Sequence, residues 1–404
     1  MIPIDALVDE GRAFLDATVP LRSPRDEEFL WGEGSDRINV LEEIERARLA
    51  TVVAEAKAYA AARFDAGFGW IDGPTEYGGR GLSVDHAIAF DELEARYDVP
   101  NLAPLTIAVG FIGPALLATA SDELKHRYLA RMYRGDVIMC QLFSEPNAGS
   151  DLAAAATRAE RDGDEWIVNG QKVWTSSAHA ADLGLCVTRT DRDVPKHKGL
   201  TTFLVDMHAP GVEIRALQQM TGESNFNEVF LTDVRVPDSH RVGDVNAGFG
   251  VILTTLGNER SIATRRSSAG RGVGPFERIA GVVREYGDPA DPFTRQRLAQ
   301  VYVLDRIKQL QNERWRQSLK PGQTPGAEMM VSKLHNTMFN GQLVPLLTEV
   351  LGPRLEADTG AWGTYAWTEY VLSTPGMRIG GGTEEIVRNT VAERVLGLPK
   401  EPRA

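Results

Sequence analysis

The feature that most restricts how this chain can fold is a stretch of roughly 100 residues in which strand patterns follow one another with no helical period between them. Glu165 to Trp174 (EWIVNGQKVW), Leu183 to Arg189, Thr201 to Met207 and Glu228 to Val236 are short runs rich in β-branched and aromatic residues. Asp162-Gly163, Pro210-Gly211 and Pro237-Asp238 punctuate them as turns. Without helices between strands, βαβ units do not fit, and the pattern predicts an antiparallel sheet or barrel. Asn169-Gly170, set between β-branched residues, predicts a two-residue hairpin turn.

Both flanks read differently. Leu41 to Arg63 (LEEIERARLATVVAEAKAYAAAR) is dense in strong helix formers, and Phe90 to Tyr97 and Glu123 to Tyr133 continue that style. Asp72 to Leu82 (DGPTEYGGRGL) interrupts them as a loop. Beyond Ala247 the helical period returns over Gly248 to Ser268, Phe276 to Tyr286, Arg295 to Gln317, Gly326 to Leu351 and Thr383 to Leu396, with KPGQTP at Lys320 to Pro325 as a breaker. A chain of 404 residues suits two or three cores. The expectation is an α+β multidomain protein: an N-terminal helical domain over 1–138, a middle antiparallel β-barrel over 139–242 and a C-terminal helical bundle over 243–404.

Charge narrows the function. Lys plus Arg number 44 against 56 Asp plus Glu, a net charge of −12, which lacks the basic footprint of a nucleic-acid binder. Cys140 and Cys186 make neither a disulfide scaffold nor a C-x-x-C pair, and the seven histidines are scattered, so no metal site is expected. The N-terminus MIPIDALVDEGRAFLDA has no basic or apolar leader, and a cytoplasmic protein is expected. Thr106 to Ala120 is the most apolar run, but it is short and contains Gly110, Gly113 and Pro114, so it predicts a buried core helix rather than a membrane span.

Four constellations could carry chemistry. In Leu142 to Leu152 (LFSEPNAGSDL), Ser144, Asn147, Gly149 and Ser150 cluster around Pro146 before an Ala-rich run. Such a loop offers free N–H groups and hydroxyls to a phosphate or a ring edge, or is a turn capped by Ser150 or Asp151. In Val173 to Ser177 (VWTSS), the indole of Trp174 either covers a flat conjugated ring or fills the sheet core. In Arg378 to Arg388 (RIGGGTEEIVR), the glycines allow close backbone approach to a ligand, while Glu384 and Glu385 in the first helical turn would repel a phosphate. Finally, Ile252, Leu256, Glu259 and Ala263 share one helical face that is apolar except for Glu259. A carboxylate there is either a base or the partner of Arg260 or Arg266.

Taken in order, LFSEPNAGSD, VWTSSAHAAD, NEVFLTDVRVP and GGGTEEIVRNTVAERVLGLP resemble the signatures of the acyl-CoA dehydrogenases over nearly the whole chain. The resemblance implies a C-terminal four-helix bundle and FAD between barrel and bundle, shared across a dimer interface in what is usually a tetramer. By motif position it implies that Leu142, Ser144, Gly149, Ser150, Trp174 and Ser176 line the flavin, and that Thr383, Glu384 and Glu385 meet it. Ser150, Arg260, Gly381 and Gly382 are then expected near an acyl-CoA. Gly381 stands where many members carry the catalytic Glu; a smaller group places that base on the helix opening the C-terminal domain, where this chain has Glu259. Glu349 in EVLGP, followed by Gly352, stands where many members carry a flavin-contacting Gln, so both are expected at the cofactor; Arg284, in the stretch REYGDPADPF, which departs from the usual Arg-x-Phe-Gly pattern, is the expected diphosphate contact from the neighbouring subunit.

The implied reaction is α,β-dehydrogenation of an acyl-CoA thioester, with electrons passed to an electron-transferring flavoprotein. Two alternatives are a subunit of a hetero-tetramer with an incomplete active site, and a flavin oxidase or monooxygenase on the same fold.

Overall fold

The structure is a computed structural model that describes residues 2–22, 29–38, 46–266, 274–318 and 327–400; within these, the side chains of 258–266, 315–318 and 329 lie outside the description. The chain divides into two compact units, Met1–Arg22 with Ile44–Glu259, and Ser23–Glu43 with Arg260–Ala404.

In the first unit, α1 (Ile4–Thr18), α2 (Arg46–Asp65), α3 (Val84–Glu94), α4 (Gly113–Thr119) and α5 (Asp122–Arg134) precede the sheet. Helix α5 shows how local sequence sets the ends: the Ser121 hydroxyl accepts from Leu124 N, Asp122 and Glu123 open the helix, Arg131 and Arg134 close it, and Gly135 ends it at φ 86°. The expected core helix begins as a π-helical turn over Ile107–Ile112 and continues as α4, burying Ile112, Ala115 and Leu116. Among the described residues, no helix is long and apolar enough to cross a membrane.

The strands are β1 (Met139–Leu142), β2 (Arg158–Asp162), β3 (Glu165–Ser176), β4 (Leu183–Arg189), β5 (Leu200–Asp206), β6 (Val212–Leu217), β7 (Phe226–Pro237) and β8 (Arg241–Val242). They form one eight-stranded sheet in the order β6-β7-β3-β2-β4-β5-β8, with β1 beside β4. This corrects the barrel in two respects. The hydrogen-bonded path ends at β6 and β8 without closing, and the sheet is mixed, because β1 runs parallel to β4. The long connection that a parallel pair requires is supplied by the β2–β3 hairpin instead of a helix.

The predicted Asn169-Gly170 turn is also absent. Strand β3 runs straight through it, and the hairpin turns at Gly163-Asp164, between the paired residues Asp162 and Glu165. Gly170 is needed for space: a Cβ there would fall 2.4 Å from Thr157 Oγ1, at a point where the β3–β7 register shifts. After the sheet, α6 (Gly248–Arg266) begins by burying Val251 and Ile252 in the first unit's core, with Thr255 also buried.

In the second unit, α7 (Phe276–Tyr286), α8 (Pro292–Ser318), α9 (Met330–Leu351) and α10 (Ala366–Ile379) enclose one core through Ile279, Val282, Val301, Phe339, Leu343 and Trp367; α11 (Glu384–Arg394) follows. Residues 29–38 are embedded in this same unit as a strap. Ile38 is 1% exposed within the core. Trp31 stacks edge-on to Trp362 at 4.8 Å and lies against Gly281, where a Cβ would meet its ring at 2.1 Å. Asp36 accepts from Gly363 N at 2.9 Å, and Trp362 Nε1 donates to Gly34 O at 3.2 Å.

Candidate active site

In the first unit, the loop after β1 and the end of β3 are tied together. The loop reverses at Pro146-Asn147, where Glu145 and Ala148 exchange backbone hydrogen bonds at 3.0 Å. Val173 N donates to Ser144 O at 2.9 Å. Two buried side chains complete the tie: Lys172 Nζ lies 2.7 Å from Glu145 Oε1 and donates to Phe143 O at 3.1 Å. Glu145 also accepts from Ala156 N at 2.7 Å and Thr157 N at 2.9 Å. Burial alone would raise this carboxyl; the charge and hydrogen bonds of Lys172, with those of the two amides, hold it below the usual range. Neither Glu145 nor Lys172 was singled out from the sequence. The available signal was parity: Lys172 shares the inward face of β3 with Trp166 and Val168.

The six residues expected here fall into distinct settings. Leu142 is fully buried in the sheet core, and the structure does not open it to a ligand. Ser144 is half-buried, whereas Gly149 and Ser150 are exposed, and a Cβ at Gly149 would have no atom within 4 Å. Neither Ser150 nor Asp151 caps the short 3-10 turn at Leu152–Ala154; Asp151 instead pairs with Lys196 at 2.6 Å. Trp174 is 58% exposed, so it does not fill the sheet core. Its φ of +60° is uncommon for a bulky residue and follows from the break in β3–β7 register between Lys172 and Thr175. Phe226 supports the indole edge-on at 5.9 Å. Ser176 is half-buried beyond it, and the Thr175 hydroxyl between them is buried without a partner.

An indole held out from a sheet, beside hydroxyls and an unobstructed glycine loop, fits the edge and face of a flat heteroaromatic ring. Among the described residues, no cluster of three His, Cys, Asp or Glu is placed to hold a metal ion.

The second unit carries the other expected residues. The Thr383 hydroxyl caps α11 by accepting from Ile386 N at 3.3 Å. Glu384 is buried between Arg378 and Arg388, at 2.7 and 2.8 Å, and the Arg378 hydrogen bond, reinforced by Arg388, holds its carboxyl below the usual range. Its charge is thus engaged within the chain, while Glu385 is exposed. Gly381 and Gly382 take φ of 70° and 102°, a conformation side chains disfavour. Arg284 is exposed at the end of α7 and donates to its own helix at Ala280 O. Glu349 pairs with Arg297, and Gly352 follows at φ 49°. Glu259 and Arg260 lie in α6, but their side chains are outside the described residues.

Comparison with known proteins covers the same three parts. The chain matches the models of the acyl-CoA dehydrogenase N-terminal domain over residues 36–136, middle domain over 140–234 and C-terminal domain over 246–396. It is 39% identical to acyl-CoA dehydrogenase FadE34 of Mycobacterium tuberculosis over 329 residues, 81% of this chain but 44% of that protein, so it spans less than half of that relative's length. It is 36% identical to acyl-CoA dehydrogenase IpdE1 of the same organism over 339 residues, 83% of this chain and 85% of that protein. Among solved structures, the Tcur3481-Tcur3483 steroid ACAD superposes with a TM-score of 0.71 at 26% identity, covering 99% of both chains. The ChsE4-ChsE5 complex from Mycobacterium tuberculosis gives a TM-score of 0.70 at 26% identity, again over 99% of both chains.

Proposed function

This chain belongs to the acyl-CoA dehydrogenase family, a family of flavin-dependent oxidoreductases, and we propose that it desaturates an acyl-CoA thioester between Cα and Cβ to the trans-2-enoyl-CoA, using FAD. The observation that carries this reading is the exposed Trp174 indole, displaced by a bulge beside the Ser144–Ser150 loop. FAD, when bound, supplies the acceptor for the hydride that leaves Cβ.

The remaining chemistry falls to the chain. A thioester α-proton is weakly acidic, so its removal needs a positioned base and donors that stabilise the developing enolate oxygen. Glu259 is the proposed base. By helical period its place in α6 continues the face of Ile252 and Leu256, which packs on the first unit's core, so it is the one carboxylate at the end of an apolar face. Displacement of water by substrate raises the carboxyl toward neutrality and strengthens it as a base. Ser144, Gly149, Ser150, Trp174 and Ser176 are the proposed cofactor contacts of the loop and strand end, and Thr383, Glu384, Glu385, Arg284, Glu349 and Gly352 are the further proposed contacts. Ser150, Arg260, Gly381 and Gly382 are the proposed acyl-CoA contacts. An electron-transferring flavoprotein takes the electrons away. The steroid substrate class named for one structural neighbour fits the proposal that this chain accepts a bulky, ring-containing acyl group.

One observation favours a second reading. Glu349, standing where a cofactor-contacting Gln is common, is engaged by Arg297, and two structural neighbours are described as two-component assemblies. This chain is then one subunit of a hetero-tetramer and holds an incomplete cofactor site. Flavin titration separates the two: one FAD per chain supports a homo-oligomer, and clearly substoichiometric FAD supports the hetero-oligomer. The test of the activity itself is an anaerobic screen of straight, branched and ring-containing acyl-CoAs for loss of flavin colour. Colourless protein with no melting shift in added FAD overturns the flavin reading; at 100 Kd of ligand that shift reflects about 2.7 kcal/mol.

A further inference from the structure

Lys172 is fully buried, and its ammonium has two acceptors: Phe143 O at 3.1 Å and Glu145 Oε1 at 2.7 Å. These belong to the residues on either side of Ser144. The next residue along the strand, Val173, donates from its backbone to Ser144 O at 2.9 Å. Ser144 is therefore held from three directions by two consecutive residues of β3. The Glu145 carboxylate extends the tie to Ala156 N and Thr157 N, so the chain closes on itself from 145 to 157 around Gly149 and Ser150. Lys172 is also the last residue of β3 paired in register with β7, at Val229, before the bulge that turns Trp174 outward.

A buried ion pair is a poor means of gaining stability, since a well-packed apolar pair of similar volume is often as good or better. What this pair does supply is registry between two chain segments. We propose that Lys172 and Glu145 are positioning residues for the cofactor: together they set the Ser144–Ser150 loop at a fixed distance from Trp174, so that hydroxyls and indole meet one ring simultaneously. The proposal rests on the flavin reading above, and it assigns a purpose to two buried residues that the sequence motifs leave without one.

Removing one partner strands a buried charge and risks unfolding, so the test uses Lys172→Met/Glu145→Gln, which removes both charges and keeps one amide acceptor. Three quantities are measured on the full chain: melting temperature, FAD dissociation constant by fluorescence well below melting, and amide hydrogen exchange of residues 144–157 without FAD. The expected result is a folded protein whose FAD dissociation constant rises at least tenfold and whose loop amides exchange faster. A purely structural role would lower the melting temperature and leave FAD affinity unmoved. If wild type binds FAD and the folded double variant binds within twofold of it, this proposal fails alone. If wild type binds no FAD, the flavin reading fails and this proposal with it. Should the double variant not fold, Glu145→Gln is measured in the same way, with the same criteria.

Discussion

Arg378 donates from Nε to Oε1 of Glu384 at 2.7 Å, bridging the three glycines 380–382 that lie between them in sequence. With Arg388 on the other carboxylate oxygen at 2.8 Å, the Glu384 side chain fixes how the chain enters α11.

Glu384→Gln should lower stability by about 1 kcal/mol, a modest cost because both arginines are more than half exposed to screening water. The folded carboxyl titrates below its unfolded value of about 4.3, so its contribution is present above that pH and is lost as the pH falls through the folded value. Melting curves between pH 7 and pH 3 should show wild type and variant converging at the acid end. A gap that widens on acidification would contradict the arrangement.

The strap gives a second test. Gly281→Ala places a methyl group inside the Trp31 ring and should cost about 1–3 kcal/mol. Trp31→Ala on its own removes half-buried aromatic packing against the core and is also destabilising. In the double variant the clash has no partner, so by chemical denaturation it should cost less than the sum of the two single variants. Strict additivity would mean that the two sites do not meet.

If Glu259 is the base, Glu259→Gln preserves volume while removing the proton acceptor. Stopped-flow loss of flavin colour with substrate should slow by about 10²–10⁴-fold, with substrate binding and FAD content retained. Rates within a few-fold of wild type, in a folded variant, would move the base elsewhere. Adding Gly381→Glu to that variant should restore part of the rate if both positions address the same proton.

The family resemblance implies that Gly381 stands where many members carry a glutamate, so the proposed acyl site has extra room there. Branched and ring-containing acyl-CoAs should therefore compete well against straight chains in a mixed-substrate assay. Strict preference for short linear substrates would show that other side chains fill the space.

Much of this architecture was legible in the pattern of residues, and the failures have identifiable causes. Helix α7 was read from its period at Phe276–Tyr286, the limits the structure has, because a strongly amphipathic helix follows from local chemistry. Asn169-Gly170 misled because a glycine required for contact with Thr157, distant in sequence, looks the same as one required for a turn. Helix α10 carries no clear local signal, because Pro375 and the polar residues inside it blur its period. Lys172 was overlooked because a charge on an inward face makes sense only with its partner, 27 residues away in the chain. Of the candidate site, hydroxyls and glycines could be named from motifs; that Glu384 is occupied by arginines, and Trp174 exposed, depends on tertiary contacts no local window contains.

The strap also has a bearing on how the protein is made. Trp31 leaves the ribosome about 250 residues before Gly281, the position that receives it. At synthesis rates of roughly 5–20 residues per second, that interval is about 12–50 s. For that time the indole and Ile38 have no native receptor, and the helical core they complete does not yet exist. The final packing event of the second unit must therefore await synthesis of Gly281 and Trp362, although one of its pieces is made about 250 residues earlier.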